Sequence, residues 1–449
     1  MVGQMKLIIQ WRSMFRFYNF LMLAILIFPQ YSYSADLMDI YNRSLKHNND
    51  LKIIMNEHKI SKELYNQTSS TIFPSINLSA NSNKTEINRY VGSGTNSDYT
   101  ADTYSINVTQ PIFRLSFFDE LEKANDVIEK SNLVVLNQEK VIMVKSVNLY
   151  FNLINKKNEI SAAVNKEKMM SLKYDNSKKL FQRGLITDAE LNRHRNNYDL
   201  SLIEYDMAKN NLDLSEQDIY IFAGKKIKEI HNLDIEIEIP INNYDVGYVV
   251  SKALIFDENI KMAEYDVSIS KNDMKSNKSQ HYPTLDLIAS YDYSDVSSGT
   301  RFGATKREGS TVGVSLNIPI YQGGFQTAKV NEARYVYENA KINLDQMKRH
   351  LKKEIIEKIN IHNLLKKMII AKKIDYQSAN QNYKSAKKGF MSGTYTDVEV
   401  QETKLKLIQA KNSYIKTALD YILMDLQLKK FSSTLTENSI KEVNAMLVW

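Results

Sequence analysis

The residue types that most often carry chemistry are present in this chain of 449 residues, but their spacing matches no reactive site. Its seven histidines show no pairing at the spacing of metal ligands, and no His-Glu-x-x-His run occurs. Gly323 and Gly324 lack the following Lys-Ser or Lys-Thr of a phosphate loop, which favours a backbone turn over a nucleotide site. We find no arrangement of a nucleophile with a base, and there is no Cys. The sequence therefore predicts no enzyme, no metal site and no cofactor.

The composition narrows the class of protein further. The chain has only 14 Gly and 6 Pro, 25% charged residues and a mean hydropathy of -0.40, which excludes a collagen-like fibre and a polytopic helical membrane protein. So few helix-breaking residues predict long uninterrupted helices. The net charge of +7 is mild and dispersed, so no nucleic-acid partner is expected.

The first 34 residues are typical of an export signal. The cations Lys6, Arg12 and Arg16 precede a short apolar run, and Ser32 and Ser34 are the small residues that a signal peptidase requires. We therefore expect a signal peptide at 1–34 and a mature chain that starts at Ala35. Beyond that point no stretch approaches the ~20 apolar residues of a membrane helix.

An internal duplication organises the mature chain. Residues 73–78 match 282–287, residues 103–113 match 311–321, and the segment around Gly184 matches the one around Gly393, at spacings of 208 or 209. Each copy contains a helical segment, two alternating strands joined by a polar loop, and a long helical hairpin. We predict a first repeat at 35–230, a linker at 231–243, a second repeat at 244–431 and a loosely ordered C-terminal tail at 432–449. Within the linker, the alternation over 235–241 indicates either a short strand or an extended connection.

Proline and glycine mark the boundaries inside each copy. Pro111 and Pro319 end the second strand of each pair, at the junction between strand and helix. Long helices then run to Gly184 and to the segment 389–393, where they turn back. The last helix carries apolar residues at alternating steps of three and four, typical of a coiled coil, although an ordinary amphipathic helix fits this stripe equally well. The seam consists of Leu405, Ile408, Asn412, Ile415, Leu419, Ile422 and Leu426.

The strand count limits what the sheet can be. Four strands cannot close a barrel, because about eight are needed to enclose packed side chains. If the strands lie in lipid, three copies would supply twelve of them, and a homotrimer would form the barrel. The alternative is a soluble antiparallel sheet with one buried face, for which the aromatic residues at the strand ends are equally ordinary.

These features together resemble a known family. The junctions at 110–113 and 318–324, the opening helix at 36–41, the turns at Gly184 and Gly393 and the export signal are similar to those of TolC-like outer membrane efflux proteins. The resemblance covers nearly all of residues 36–431. It implies a mostly helical fold with a membrane β-barrel, in which a trimeric twelve-stranded barrel in outer-membrane lipid continues as a helical barrel across the periplasm.

The resemblance also implies a function. Members of this family are passive exit ducts for efflux or type I secretion that dock onto a periplasmic adaptor protein and an inner-membrane pump. Docking would fall on Gly184, Leu185, Gly393 and Thr394 at the hairpin tips.

The family places its gate at the same tips. Glu399 and Glu402 occupy positions where the family has bore-facing acidic residues, and Glu190 is the equivalent of Glu399 in the first repeat. A ring of them would attract cations, although exposed positions on a polar helix are the alternative for these glutamates. Phe390 and Tyr395 depart from the family pattern, so the residues that hold the tip closed are not identified by the resemblance. Arg183 and Arg193 are candidates for that role. The alternative function is a soluble periplasmic coiled-coil scaffold or adaptor protein.

Overall fold

The computed structural model describes residues 36–86, 98–227, 230–297 and 303–448. The export signal predicted at 1–34 lies outside the described residues. Within them the chain is mostly helical, with one four-stranded sheet and one two-stranded sheet. This confirms the predicted combination of long helices with strand pairs.

The same series of elements occurs twice. The first series is α1 (Leu37–His47), α2 (Asn49–Ser70), β1 (Ser75–Thr85), β2 (Tyr99–Phe113), α3 (Leu115–Gln182) and α4 (Asp188–Ala223). After the short strand β3 (Asn232–Leu233), the second series is α5 (Val246–Phe256), α6 (Glu258–Ser279), β4 (Thr284–Val296), β5 (Thr305–Asn317), α7 (Phe325–Met391) and α8 (Asp397–Phe431). Helix α9 (Glu437–Asn444) and strand β6 (Leu447–Val448) follow. Because α1 and α5 start 209 positions apart, the sequence repeat is also a repeat of structure.

Each opening helical segment is broken in two, which the sequence did not predict. Asn48 ends α1 and caps α2, because its side-chain oxygen accepts a hydrogen bond from Leu51 N at 2.9 Å. Asp257 does the same between α5 and α6, accepting from Asn259 N at 2.9 Å and Ile260 N at 3.2 Å. Both joints have extended backbone angles, which interrupt the helix while its free N–H groups stay satisfied.

Two helical hairpins make up most of the molecule. Helix α3 has 68 residues, which corresponds to about 100 Å, and packs antiparallel to α4; α7 packs in the same way on α8. Helix α8 also contacts α3. Its buried positions include Tyr414, Ala418 and Tyr421 beside the predicted seam, while Ile408 and Asn412 are only half-buried. The buried stripe is therefore wider than a coiled-coil seam, because α8 packs against two helices.

The four strands form one antiparallel sheet in the order β1-β2-β4-β5. The pairing of β2 with β4 joins the two repeats, while β1 and β5 lie at the edges. Strand β5 ends before Pro319, as predicted, but β2 continues past Pro111 to Phe113. The register shifts between these two residues, because a proline has no N–H to offer the ladder and the strand accommodates it as an irregularity.

The predicted loosely ordered C-terminal tail is wrong. Residues 432–448 contain α9 and β6, and Ile440 and Val443 lie in the main core with Ile142, Ile415 and Leu37. Strand β6 pairs with β3, and residues 235–241 form no strand, so of the two predicted alternatives this segment is the linker. The tail is ordered because its apolar residues pack where α1 meets the middle of α3. None of the helices that the structure describes contains an apolar run long enough to cross a membrane.

Candidate functional site

The two hairpin tips are built on the same turn. Gly184 and Gly393 follow the last residues of α3 and α7 with φ of 70° and 78°, a backbone conformation that favours glycine. Leu185 N then donates to Leu180 O at 2.9 Å, and Thr394 N donates to Gly389 O at 2.9 Å. These bonds satisfy carbonyl groups that the helix ends would leave free. The predicted docking residues thus occupy equivalent turns.

A threonine caps the returning helix at each tip. The side chain of Thr187 accepts a hydrogen bond from Glu190 N, and that of Thr396 accepts from Glu399 N. In the second tip the cap is reciprocal, since the Glu399 carboxylate accepts from Thr396 N at 2.7 Å and from Thr396 Oγ1 at 2.9 Å. Both hydrogen bonds stabilise the charged carboxylate and lower the pKa of Glu399 below its usual value, and the bond from the Thr396 backbone has the larger effect. The spacing Thr-x-x-Glu in the sequence is the local signal for this cap.

The three predicted gate residues do not share one environment. Glu190 forms an ion pair with Arg193 at 3.4 Å, one turn along its own helix. Glu402 instead forms an ion pair with Lys173, which connects α8 of the second hairpin to α3 of the first. Glu399 is held by its cap. Within one chain, therefore, Glu399 and Glu402 lie on the same helix and Glu190 on the other hairpin; a ring around an axis stays a prediction.

A close contact at the second tip was not foreseen. Gly389 lies inside α7, and a Cβ atom there would clash with the ring of Tyr395 and come within 3.0 Å of Thr394 Oγ1. The tyrosine therefore folds back over a position that must lack a side chain. A glycine within an otherwise uninterrupted helical pattern was the available signal. The first tip has Leu180 and Ile186 at the equivalent places, so only the second tip contains this contact.

The tips expose apolar side chains. Leu185 is 66% exposed, Met391 76% and Phe390 48%, and Phe181 also faces solvent. Such residues normally favour contact with another surface. Leu185 is itself one of the four turn residues predicted for docking, and the other three apolar side chains lie within a few residues of the turns.

At the other end of the molecule, the sheet has one polar and one apolar face. Asn77 pairs with Asn107 and Ser79 with Ser105 on the polar face, while Leu78 pairs with Ile106 on the other. The apolar side continues into β5 through Val312, Val314 and Leu316. These apolar residues are bare: Leu78 is 74% exposed and Val312 76%.

The two predicted junction prolines lie near the passage from this sheet to the long helices, Pro111 in the last residues of β2 and Pro319 just beyond the end of β5. Pro111 precedes the start of α3 and Pro319 the start of α7. The Gln110 side chain donates to Ile72 O and to Pro111 O, each at 2.7 Å, and Arg114 forms an ion pair with Asp286 at 3.1 Å. These contacts fix the angle at which β2 passes into α3.

The chain is similar in sequence to outer membrane efflux and secretion proteins. A family model described as Outer membrane efflux protein matches residues 249–432. The chain is 24% identical over 430 residues to outer membrane protein TolC of Escherichia coli (strain K12), covering 94% of this chain and 86% of TolC. It is 19% identical over 434 residues to the alkaline protease secretion protein AprF of Pseudomonas aeruginosa, covering 94% of this chain and 90% of AprF.

Solved structures share the fold. The Campylobacter jejuni CmeC outer membrane channel has a TM-score of 0.73 at 18% identity, covering 91% of this chain and 89% of CmeC. The outer membrane protein VceC of Vibrio cholerae has a TM-score of 0.67 at 15% identity, covering 88% of this chain and 95% of VceC. Each of these two structures covers about nine-tenths of this chain, and CmeC is described as an outer membrane channel. Over nearly its whole length the chain is therefore similar to TolC-like proteins of the outer membrane, and its second repeat matches the outer membrane efflux protein model.

Proposed function

We propose that three copies of this chain form a passive exit duct through the outer membrane, for efflux or type I secretion. One observation carries the proposal: the chain holds a four-stranded sheet whose apolar face is uncovered and whose edge strands, β1 and β5, each lack a neighbour among the described residues. An open sheet of this kind is unstable alone, because unpaired edges bind other strands and bare apolar residues avoid water. Closure with two further copies removes both problems.

The strands have suitable dimensions for a bilayer. They contain between 11 and 15 residues, and about 9–11 tilted residues span the hydrocarbon region. Their polar face would line the bore, and their apolar face would meet lipid. The alternative, a soluble periplasmic scaffold or adaptor, is disfavoured because it requires a buried sheet face, and in the part of the chain that the structure describes residues such as Leu78 and Val314 are open.

The helical hairpins would continue the bore into the periplasm. We propose that their tips form the gate, with Glu190, Glu399 and Glu402 near the axis, and that the turns at Gly184, Leu185, Gly393 and Thr394 bind a periplasmic adaptor coupled to an inner-membrane pump. The exposed apolar side chains around these turns support a docking role. The match to the outer membrane efflux protein model supports efflux, and the similarity to the protease secretion protein AprF supports secretion.

The test is the mass and solubility of the mature protein. Extraction that requires detergent, followed by native mass spectrometry showing three copies, is the expected result. A monodisperse monomer that stays in solution without detergent would contradict the duct and favour the scaffold. Channel activity provides a second test: purified trimers added to planar bilayers should make the bilayers conduct ions.

A further inference from the structure

A buried histidine lies where the chain passes from the first repeat to the second. His362 in α7 is fully buried, and neither of its ring nitrogens has a hydrogen-bond partner among the described residues. Its ring lies between those of Tyr244 and Tyr421, with centroid distances of 5.1 Å and 4.6 Å. Nε2 is 3.8 Å from Oδ1 of Asp425 in α8. A titratable group is thus enclosed in the core without a role in the proposed duct.

The segment 240–244, which we call the strap, is held against the second hairpin at this point. Tyr421 Oη accepts a hydrogen bond from Asn242 N at 2.9 Å and donates one to Pro240 O at 3.3 Å. Oδ1 of Asp425 accepts from Asn242 Nδ2 at 2.8 Å and from Tyr244 Oη at 2.7 Å. The two residues of α8 that hold the strap are therefore the same two that contact His362.

Among the described residues, the charged and titratable groups around the imidazole come from three segments. They are Asp425, Tyr421 and Lys429 in α8, Tyr244 in the strap, and Lys366 one turn along α7. Lys429 forms an ion pair with Oδ2 of Asp425 at 3.3 Å, and Lys366 donates to Asn243 of the strap at 2.7 Å. The single carboxylate beside the ring is thus already engaged through both of its oxygens.

A neutral imidazole suits this site, and a protonated one does not. Burial lowers the pKa of His362 below its ordinary value, and the Asp425 carboxylate offsets this only in part. Imidazolium donates from both nitrogens, but the acceptor that faces Nε2 is Oδ1 of Asp425, which already accepts two hydrogen bonds from the strap. A protonated ring must take that oxygen or move into water. The first change displaces Asn242 and Tyr244, and the second removes the ring on which Tyr244 packs.

We infer that protonation of His362 releases the strap from the second hairpin, so that this contact is a latch that opens in acid. The strap belongs to the linker between the two repeats, and Asp425 is connected through Lys429 to Glu442 of α9 at 3.8 Å. Opening would therefore loosen the second hairpin from the linker and from the C-terminal segment. The inference concerns contacts within one chain and does not depend on the proposed trimer.

The pH range of opening follows from the two environments of the ring. With the strap open the imidazole is hydrated and has an ordinary pKa of about 6.5, whereas burial lowers this pKa when the strap is closed. Above about pH 6.5 the ring is neutral in both states, and the latch has its full strength. Below that pH the open state binds a proton that the closed state does not, so closure weakens until the pH reaches the lowered pKa. Each pH unit within this range shifts the equilibrium about tenfold toward the open strap.

Hydrogen exchange in the intact mature protein tests the latch, with the Asn242 amide as the reporter because it donates to Tyr421. Its protection factor, corrected for the intrinsic pH dependence of exchange, should fall at least about tenfold between about pH 7.5 and about pH 5. His362→Gln cannot be protonated and should abolish this fall. His350→Gln replaces an exposed histidine of the same helix and should leave the fall unchanged. If the glutamine variant at 362 does not fold, His362→Phe supplies a neutral ring of similar shape.

Two results would overturn the latch. Wild-type protection that stays constant down to about pH 5 would show that no titration in this range controls the strap. A fall that persists when His362 is replaced would assign the acid response to another group, such as the Asp425 carboxylate. Native mass spectrometry separates this inference from the proposed function, because a monomeric protein would contradict the duct and leave the latch standing.

Discussion

The two repeats have the same backbone geometry at equivalent positions but carry different charged side chains there. The joint at Asn48 and the joint at Asp257 have the same capped geometry, but Asn49 follows the first and Glu258 the second. Glu258 is 8% exposed in its side chain and forms an ion pair with Lys140 of α3, which also donates to Ser433 Oγ at 2.9 Å. Burial raises the pKa of Asp257 beside it and lowers that of Lys430.

The two hairpin tips also differ in the ion pairs that their charged residues form. The first tip closes on itself through Arg193 and Glu190, whereas the second extends across to α3 through Glu402 and Lys173. The difference teaches that side-chain caps, which act within a few residues, persisted after duplication, while charges were free to diverge. In the second repeat both of these ion pairs end on α3, and the pairs of Lys123 with Asp273 and of Lys130 with Asp266 end there too, so α3 links the first repeat to the second.

The largest expected effect is at the second joint. Lys140→Met would remove the ion-pair partner of the buried Glu258 carboxylate, and breaking a buried pair typically costs about 3–5 kcal/mol of stability. Lys123→Met on the same helix breaks a half-exposed pair and should cost no more than about 1 kcal/mol. Thermal unfolding of the two variants in detergent measures the difference, and equal losses would show that burial at the second joint carries no special weight.

A smaller effect is expected from Gly389→Ala. Alanine in a helix interior normally gains about 1 kcal/mol over glycine, but here the new methyl group meets Tyr395, so we expect a net loss of about 1–3 kcal/mol. Hydrogen exchange of the amides after Gly393 reports the opening of the second tip. Adding Tyr395→Ala should recover the helix gain; a stabilised single variant would mean that the ring moves aside without cost.

The caps should separate the tips by pH. Thr187→Ala and Thr396→Ala should each cost about 1 kcal/mol at neutral pH, with the larger loss at the second tip, where the cap is reciprocal. The lowered pKa of Glu399 means that its contribution is present above the pKa of an unfolded glutamate and is lost as pH falls through the lowered value. Protection factors in acid should therefore converge between the tips. If the protection factors of the two tips still differ in acid, a group other than the Glu399 carboxylate is responsible for the difference.

The smallest effect on stability is expected from the connection between hairpins. Lys173 and Glu402 are partly exposed, so Lys173→Met or Glu402→Gln should cost less than about 1 kcal/mol. Conduction is the sharper measurement: Glu399→Gln with Glu402→Gln should lower cation selectivity and divalent block in planar bilayers, with Glu204→Gln, a glutamate farther along α4, as control. Unchanged selectivity would remove both glutamates from the proposed ring.

Local sequence patterns predicted the elements well. Proline, glycine and the two hydrophobic periods marked strands, hairpin turns and long helices, because each acts on its own backbone. The breaks at Asn48 and Asp257 and the caps at Thr187 and Thr396 were local signals too, and were overlooked. The C-terminal tail was mispredicted for a different reason: its few apolar residues gain stability only against a core formed by distant segments.

By itself, the sequence determined that this protein is a duplicated unit of strand pair and helical hairpin with an open sheet, since periodicity and repeat spacing are properties of the chain alone. The tertiary structure alone decided that Glu402 meets Lys173, that Glu258 meets Lys140 and that Tyr395 covers Gly389. These contacts depend on the rotation and register of neighbouring helices, and packing sets both through side chains far apart in the sequence.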